Sequence, residues 1–285
     1  VNSSRCELVG VVRRKPECLL LLDKTVDCFH NIQTAIDETS PDGVIIATPN
    51  HLHAEHAQIC IRNRLPTLVE KPIAHNLKSA KKITTCAAEY STPVLVGHHR
   101  THSQGILKLK QILEMGTLGE IQTFVGMATF YKPSEYFNLG PWRLKKGGGP
   151  IQINLIHEIG VMRFLISEIS KMKMVYSNSH RKAEVEDKAG FAINFVNGAV
   201  GTFVVSDSSA SPYSWENTTA ENPAYPNYKD SCYYITGTNG SISYPHGRMY
   251  LANSKPDWMS RMSTEKIDFS SGDPLAVQLD HFIDI

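Results

Sequence analysis

Three short apolar runs, GVIIA (43–47), TLVE (67–70) and PVLVGH (93–98), are separated from one another by stretches with helical periodicity. Continuous rather than alternating apolar character marks strands covered on both faces. The intervening stretches, His51–Arg64 and Asn76–Tyr90, are long enough for right-handed crossovers, so the strands are expected to run parallel. Glu7–Val12 adds a strand and Ile32–Glu38 a short helix, and Asn50 is expected to cap the helix that starts at His51. Together these elements describe a Rossmann-like α/β domain over residues 1–100. Its first strand is missing: no G-x-G-x-x-G precedes Glu7, and too few residues lie ahead of it for a strand and its crossover helix.

After residue 100 the pattern changes. Ile106–Gly116 is helical with a glycine stop, Ile121–Tyr131 is a long strand, and Pro150–Ser167 is a helix with proline in its first turn. Met172–His180, Ala189–Asn197, Ala199–Ser206, Cys232–Thr236 and Ser241–Tyr244 read as strands. The turns VNGA and GTNGS carry Asn-Gly hairpin signals, which makes the second sheet mostly antiparallel. Residues 101–285 therefore form a second α/β domain, consistent with a 285-residue chain that is long for one core. Ser211–Asp230, rich in Pro, Asn and Tyr, is expected to be a long loop covering a site.

Composition narrows the partners. A net charge of +1 with 20% charged residues lacks the basic excess that nucleic acid or an anionic membrane favours. No apolar run approaches the roughly 18 residues of a membrane span, and Leu19–Leu22 is only part of a short element. VNSSRCELVG lacks the basic-then-apolar order of a signal peptide. The six cysteines are scattered without C-x-x-C pairs, which fits free thiols in a reducing cytoplasm. A small-molecule partner is expected.

Four constellations carry candidate chemistry. ATPNHLH (47–53) ends a parallel strand and opens a helix, which points Thr48, Pro49 and Asn50 at the crevice where α/β sheets bind ligands; alone it also fits an ordinary N-capped helix. His51, His53 and His56 do not form a metal set, because positions i and i+2 point apart and only His53 and His56 share a face. In LVEKPIAHN (68–76) Pro72 fixes the backbone of Lys71 while Glu70 supplies a counter-charge. A partly desolvated lysine there can exchange protons near neutral pH, although a surface ion pair would give the same motif. GGGPIQINLIHEIG (147–160) places Asn154 and His157 at i and i+3 on one helical face.

With GHHRTH (97–102), LEMGTLGEIQ (113–122), PWR (141–143) and EDKAGFAINFVNGAVGTF (186–203), these motifs run in an order that resembles the Gfo/Idh/MocA family across essentially the whole chain. The resemblance implies an NAD(P)-binding Rossmann domain and a second domain whose open sheet binds substrate and mediates homo-oligomerisation as dimers or tetramers. It also implies NAD(P)-dependent oxidation or reduction of a secondary alcohol or carbonyl on a sugar, polyol or related cyclic compound. Lys71 and His157 correspond to the residues flanking the reacting oxygen. Asn154, Trp142, Arg143 and Arg100 become candidate substrate contacts, and Thr48, Pro49, Asn50, His53, Glu70, Lys71 and His99 candidate cofactor contacts. Trp142 and Arg143 equally fit a structural stack.

Three departures matter. The glycine fingerprint is absent. Many relatives carry an aspartate four residues before the histidine, where this chain has Ile153 and then Asn154, which cannot exchange protons; that keeps a non-catalytic, cofactor-binding regulator as the alternative. Finally, Val12-Arg13-Arg14-Lys15 replaces the acidic end of the second strand, so Arg13 and Arg14 favour NADP over NAD, unless the turn is simply solvated.

Overall fold

The structure is a computed structural model that describes residues 3–13 and 26–285. Arg14, Lys15, Cys18 and the Leu19–Leu22 run lie outside the described residues. The chain divides into two compact units, Val1–His98 with Leu275–Ile285, and His99–Pro274.

In the first unit β1 (Gly10–Val12) pairs in parallel with β2 (Asp27–Phe29), and β3 (Val44–Ile46), β4 (Thr67–Val69) and β5 (Val94–Val96) form a second parallel ladder in that order. Crossovers run through α1 (Ile32–Thr39), α2 (His53–Arg62) and α3 (Leu77–Tyr90). Asn31 Oδ1 accepts the Gln33 and Thr34 N–H groups, and Asn76 Oδ1 accepts that of Ser79, so both helices start on side-chain caps. Ile46, Ala57, Cys60, Ile61, Val69, Ile83 and Cys86 form the core between strands and helices. Each run is only three residues long in regular pairing, and only Thr67–Val69 is buried on both faces as the sequence predicts: Ile45 is 53% exposed, and Val94–Val96 is half-buried throughout.

The second unit is built on one eight-stranded sheet. It contains β6 (Ile121–Thr129), β7 (Ile169–Ser177), β8 (Lys188–Phe195), β9 (Val200–Ser206), β10 (Tyr233–Gly237), β11 (Gly240–Tyr244), β12 (Arg248–Ala252) and β13 (Met262–Lys266), in the order β13-β12-β11-β10-β6-β9-β8-β7. Every pairing is antiparallel except β6 with β9. The β8–β9 hairpin turns at Asn197-Gly198 as its sequence predicts, with Asn197 Oδ1 accepting the Ala199 N–H and Gly198 at φ +91°.

One sheet face is buried. Phe124, Phe203, Phe191, Ile193, Tyr233 and Ile235 on that face join Ile106, Leu109 and Ile112 of α4 (Gln104–Glu114) and Val161, Met162 and Leu165 of α6 (Ile156–Leu165) in a single core. The helices serve as a lid on one side, and Val125, Val204 and Val175 on the opposite side stay exposed.

Several expected boundaries shift. Regular pairing of the first strand begins at Gly10 rather than Glu7. The Pro150–Ser167 helix opens with a π-helical turn at Ile151–Leu155 before α6 begins. Short helices α5 (Ser134–Asn138) and α7 (Trp215–Thr218) interrupt segments that read as loop. Two further strands are not placed by the sequence: β12, which pairs on both sides, and β13, a polar edge strand with too little apolar alternation to be seen. Helix α8 (Pro274–Asp284) groups largely with the first unit, not with residues 101–285. Its Phe282 ring lies 3.1 Å from where a Cβ on Gly43 would sit, and Asp280 pairs with Arg5 at 3.2 Å. Phe282→Ala should cost the first unit about 3–5 kcal/mol of stability, measurable as an earlier urea transition.

Candidate active site

The β3–β5 ladder brings three chain segments out at one edge. Ile46, Val69 and Val96 are register partners. Two further backbone bonds, Glu70 N–H to Ile46 O at 2.9 Å and Gly97 N–H to Val69 O at 2.8 Å, carry the ladder one residue beyond the strands. Thr48–Asn50, Glu70–Pro72 and Gly97–His98 therefore leave at the carboxyl edge, where open α/β sheets bind ligands.

The local bonding there sorts the sequence candidates. Helix α2 begins two residues later than its sequence predicts, with Leu52 at the N-cap and no side-chain cap, while Leu52 N–H bonds to Pro49 O at 2.8 Å. Asn50 is thus part of a turn and does not cap the helix. His53 is buried at 1% exposure, its Nε2 2.7 Å from Thr48 O and its Nδ1 2.9 Å from Pro72 O. With both nitrogens against backbone carbonyls, it staples the Thr48 turn to the Glu-Lys-Pro turn and meets backbone where the sequence expects a cofactor. His56 Nδ1 lies 3.1 Å from Thr48 Oγ1, and burial pulls its pKa below the ordinary histidine value. Glu70 Oε2 accepts the Lys71 N–H at 3.2 Å, and the Lys71–Pro72 peptide is cis. A Cβ on Gly97 would stand 3.0 Å from the Glu70 carboxyl carbon, so only glycine leaves this carboxylate its place.

In the second unit the decisive group is Arg100, within the 3-10 turn His99–His102. Its side chain is 5% exposed; it ion-pairs with Glu158 on α6 and, at 2.6 Å, with Glu216 on α7, and lies 5.2 Å over the Trp215 ring. Tyr233 donates its hydroxyl to the other oxygen of Glu158. Burial opposes the guanidinium charge, but Glu216 and Glu158 outweigh it and leave the pKa raised. Arg100, a candidate substrate contact in sequence, is thereby committed to an internal ion cluster.

Next to Glu158, His157 is 6% exposed, and its ring meets that of His99 edge-on at 4.9 Å. Asn154, within the π-helical turn, accepts a hydrogen bond on Oδ1 from Lys132 Nζ at 2.8 Å. The turn is set from outside: Gly149 has φ +77°, and the Glu186 carboxylate accepts the Ile151 N–H at 2.9 Å. Trp142 is half-exposed, while Arg143 stacks 3.9 Å from the Tyr136 ring centre and donates to Tyr136 O. Arg143 also lies 5.7 Å from the Trp142 ring, so the expected Trp–Arg stack is present but looser than the one with Tyr136.

Lys132 escaped the sequence reading. Burial lowers its pKa to about 8; Asp207 and Glu216 act against the shift, and Arg143 and Arg181 add to it. A signal existed, because Tyr131-Lys132-Pro133 repeats the pattern of Glu70-Lys71-Pro72, a lysine held between a strand end and a proline. Arg13 N–H extends the β1–β2 ladder to Phe29 O at 2.9 Å, and its partner in the basic turn, Arg14, lies outside the described residues.

A parallel α/β unit with chemistry at its carboxyl edge, joined in sequence to an open mixed sheet, defines the class of two-domain dinucleotide-binding proteins. Residues 1–98 match the family model described as oxidoreductase family, NAD-binding Rossmann fold, and residues 106–243 match that of the GFO/IDH/MocA C-terminal domain. The chain belongs to the Gfo/Idh/MocA family. A 1,5-anhydro-D-fructose reductase of Ensifer adhaerens is 26% identical over 179 residues, 61% of this chain and 53% of the relative. A levoglucosan dehydrogenase of Pseudarthrobacter phenanthrenivorans is 26% identical over 172 residues, 59% of this chain and 44% of the relative. The chain spans about half the length of the curated relatives it matches. The WlbA dehydrogenase from Bordetella pertussis, solved with NADH and UDP-GlcNAcA, shares the fold with a TM-score of 0.74 at 19% identity, over 99% of this chain and 80% of that one.

The carboxyl edge fits a nicotinamide nucleotide. Gly97 keeps a side chain out of the space beside Glu70, and the Glu70 carboxylate keeps an oxygen available for a ribose hydroxyl while the other accepts the Lys71 N–H. Among the described residues no three His, Cys, Asp or Glu side chains are grouped to hold a metal ion, and no helix is long and apolar enough to cross a membrane. Arg100→Met would strand the buried Glu158 and the half-buried Glu216, and a loss of about 3–5 kcal/mol is expected in the second unit's unfolding transition.

Proposed function

We propose that this protein is an NAD(P)-dependent oxidoreductase acting on a secondary alcohol or carbonyl of a sugar, polyol or related cyclic compound. The observation that carries this is the tethering of the Glu-Lys-Pro turn: backbone bonds and the His53 staple hold Lys71 at the carboxyl edge of an NAD-binding Rossmann unit. When bound, the nicotinamide supplies hydride transfer at its C4.

The chain's own residues do the rest. Lys71 exchanges the proton of the substrate oxygen, a role suited to an ammonium partly removed from water. His157 assists by orienting that oxygen. Asn154, whose oxygen accepts from Lys132, presents its N–H groups to a neighbouring hydroxyl and holds it. Glu70 bonds a ribose hydroxyl of the cofactor, Thr48, Pro49 and Asn50 line its nicotinamide half, and His99 buttresses His157 beside it. Arg13 and Arg14 favour a 2′-phosphate and hence NADP. Trp142 covers the substrate side. The domain division that supports this is a cofactor unit over 1–100 followed by a substrate unit.

The protein works in the cytoplasm as a homo-oligomer. Free thiols at Cys6, Cys28, Cys60, Cys86 and Cys232 suit a reducing compartment. The uncovered sheet face, with Val175 75% exposed and Val204 45% exposed, suits burial against a second copy.

Two outcomes test this. Lys71→Met should lower kcat on an oxidisable sugar or polyol by about 10²–10⁴-fold while NADPH affinity, measured by calorimetry, stays within a few-fold; near-normal kcat would refute the role. Val175→Lys should shift the mass measured by light scattering toward the protomer, and an unchanged mass would place the interface elsewhere.

A further inference from the structure

Between α7 and β10 the chain runs through a segment in which residues 222–229 are all exposed. Glu221, at its start, is anchored inward. Its Oε1 accepts the Ser103 hydroxyl, and its Oε2 is buried with no hydrogen-bond partner among the described residues. Ser103 caps α4 by taking the Ile106 N–H at 3.3 Å, and its oxygen lies 3.5 Å from the Tyr244 hydroxyl. Gly105 lets α4 start so close to that ring, since a Cβ on it would stand 2.6 Å from the same hydroxyl. The glutamate is therefore held against the head of α4 and the end of β11. Ala220, just before it, has φ +60°, a left-handed backbone that a Cβ disfavours and that neighbouring contacts must hold.

The charges around this carboxyl do not balance. Arg100 is a cation that acts on it, and Arg100 is already paired with Glu158 and Glu216. Among the described residues no lysine or arginine pairs with Glu221 itself. A third carboxylate beside one neutralised guanidinium is costly as an anion and readily accommodated as an acid.

We propose that residues 219–230 form a strap clasped by the protonated carboxyl of Glu221, and that the strap opens when that proton leaves. Tyr228 N–H bonds to Asn217 O at 2.7 Å and Tyr225 N–H to Asn222 O at 3.1 Å, bonds that close the strap on itself, while Glu221 ties it to the body of the unit. Closed, the strap keeps Tyr225 within electrostatic reach of Glu216, Arg100 and Tyr136. Resting on the oxidoreductase reading, it is a movable rim on the Lys132 and Asn154 side of the substrate.

The direction of the response follows from the groups that face the carboxyl. Burial is the largest influence and pushes the Glu221 pKa up from 4.5 to about 7; Asp273, just before α8, adds to the rise, and Ser103, Arg100 and Trp215 oppose it. Tyr244 on β11 faces it as well, and Glu158 and Glu216 lie beyond Arg100. The closed strap therefore binds this proton more tightly than the open one. Closure is strongest below pH 4.5, weakens as pH rises to about 7, and changes little above that.

The test is hydrogen–deuterium exchange of the full chain, read in peptides spanning residues 219–230, with Glu221→Gln as a variant that carries the same shape and cannot ionise. Comparing the two proteins at each pH cancels the intrinsic pH dependence of exchange. At pH 5 they should exchange within fivefold of each other, and at pH 8 the wild type should exchange tenfold or more faster. Glu221→Ala, which removes the clasp, should exchange fast at both. A circular dichroism melt of each variant separates loss of the clasp from loss of the fold. Equal exchange of wild type and Glu221→Gln at pH 8 overturns the proposal, as does a Glu221→Ala strap as protected as the Gln one. Exchange needs no turnover, so a strap that opens with pH in a protein that oxidises and reduces no sugar would sink the enzymatic reading and leave this one standing. Turnover with a strap indifferent to pH would do the reverse.

Discussion

A guanidinium buried at the start of the second unit has to be neutralised where water cannot do it, and much of the geometry around His157 follows from how that is done. Desolvating a single ion costs several kcal/mol even after relaxation. Arg100 meets this with carboxylates from two separate helices, α6 and α7, and the tyrosine hydroxyl of β10 completes the coordination of Glu158. Four elements are thereby fixed by one charge. Since Glu158 directly follows His157, the imidazole inherits a backbone position that the ion cluster determines, and the edge-on ring of His99 limits its rotation.

The first unit solves a comparable problem with backbone bonds and one buried histidine. Its strands are short, yet their ends stay level because hydrogen bonds from Glu70 and Gly97 continue the ladder and His53 ties two of the emerging turns together. Neither device contributes a side chain to chemistry; both decide where Lys71 can be. A residue buried to 1% exposure can thus matter to a site that it does not touch.

How much of this could be read from sequence depends on whether the governing interaction is local. GVIIA, TLVE and PVLVGH announce themselves by uninterrupted apolar residues, which burial on both faces demands of Thr67–Val69 alone, and Asn197-Gly198 announces its hairpin because few other residues adopt the needed backbone. The family resemblance brought Lys71, Asn154 and His157 forward. What stayed hidden were partnerships across long sequence distances: Arg100 with Glu158 and Glu216, Lys132 with Asn154, and α8 with Gly43. Asn50 illustrates the limit in the other direction, since a good capping residue in the right place caps nothing when the helix starts two residues later.

The wide turn at Ile151–Leu155 has a consequence for the bearings of the side chains it carries. A π-helical turn accommodates one residue more than an α-helical turn, so positions before and after it are offset in azimuth even when the helix axis is continuous. Ile153 and Asn154 both lie in that turn, so the bearing of Asn154, which meets Lys132, relative to His157 is not the one an unbroken α-helix would give. Spacing along the chain therefore misjudges which side chains share the histidine's face, and the width of this single turn decides it.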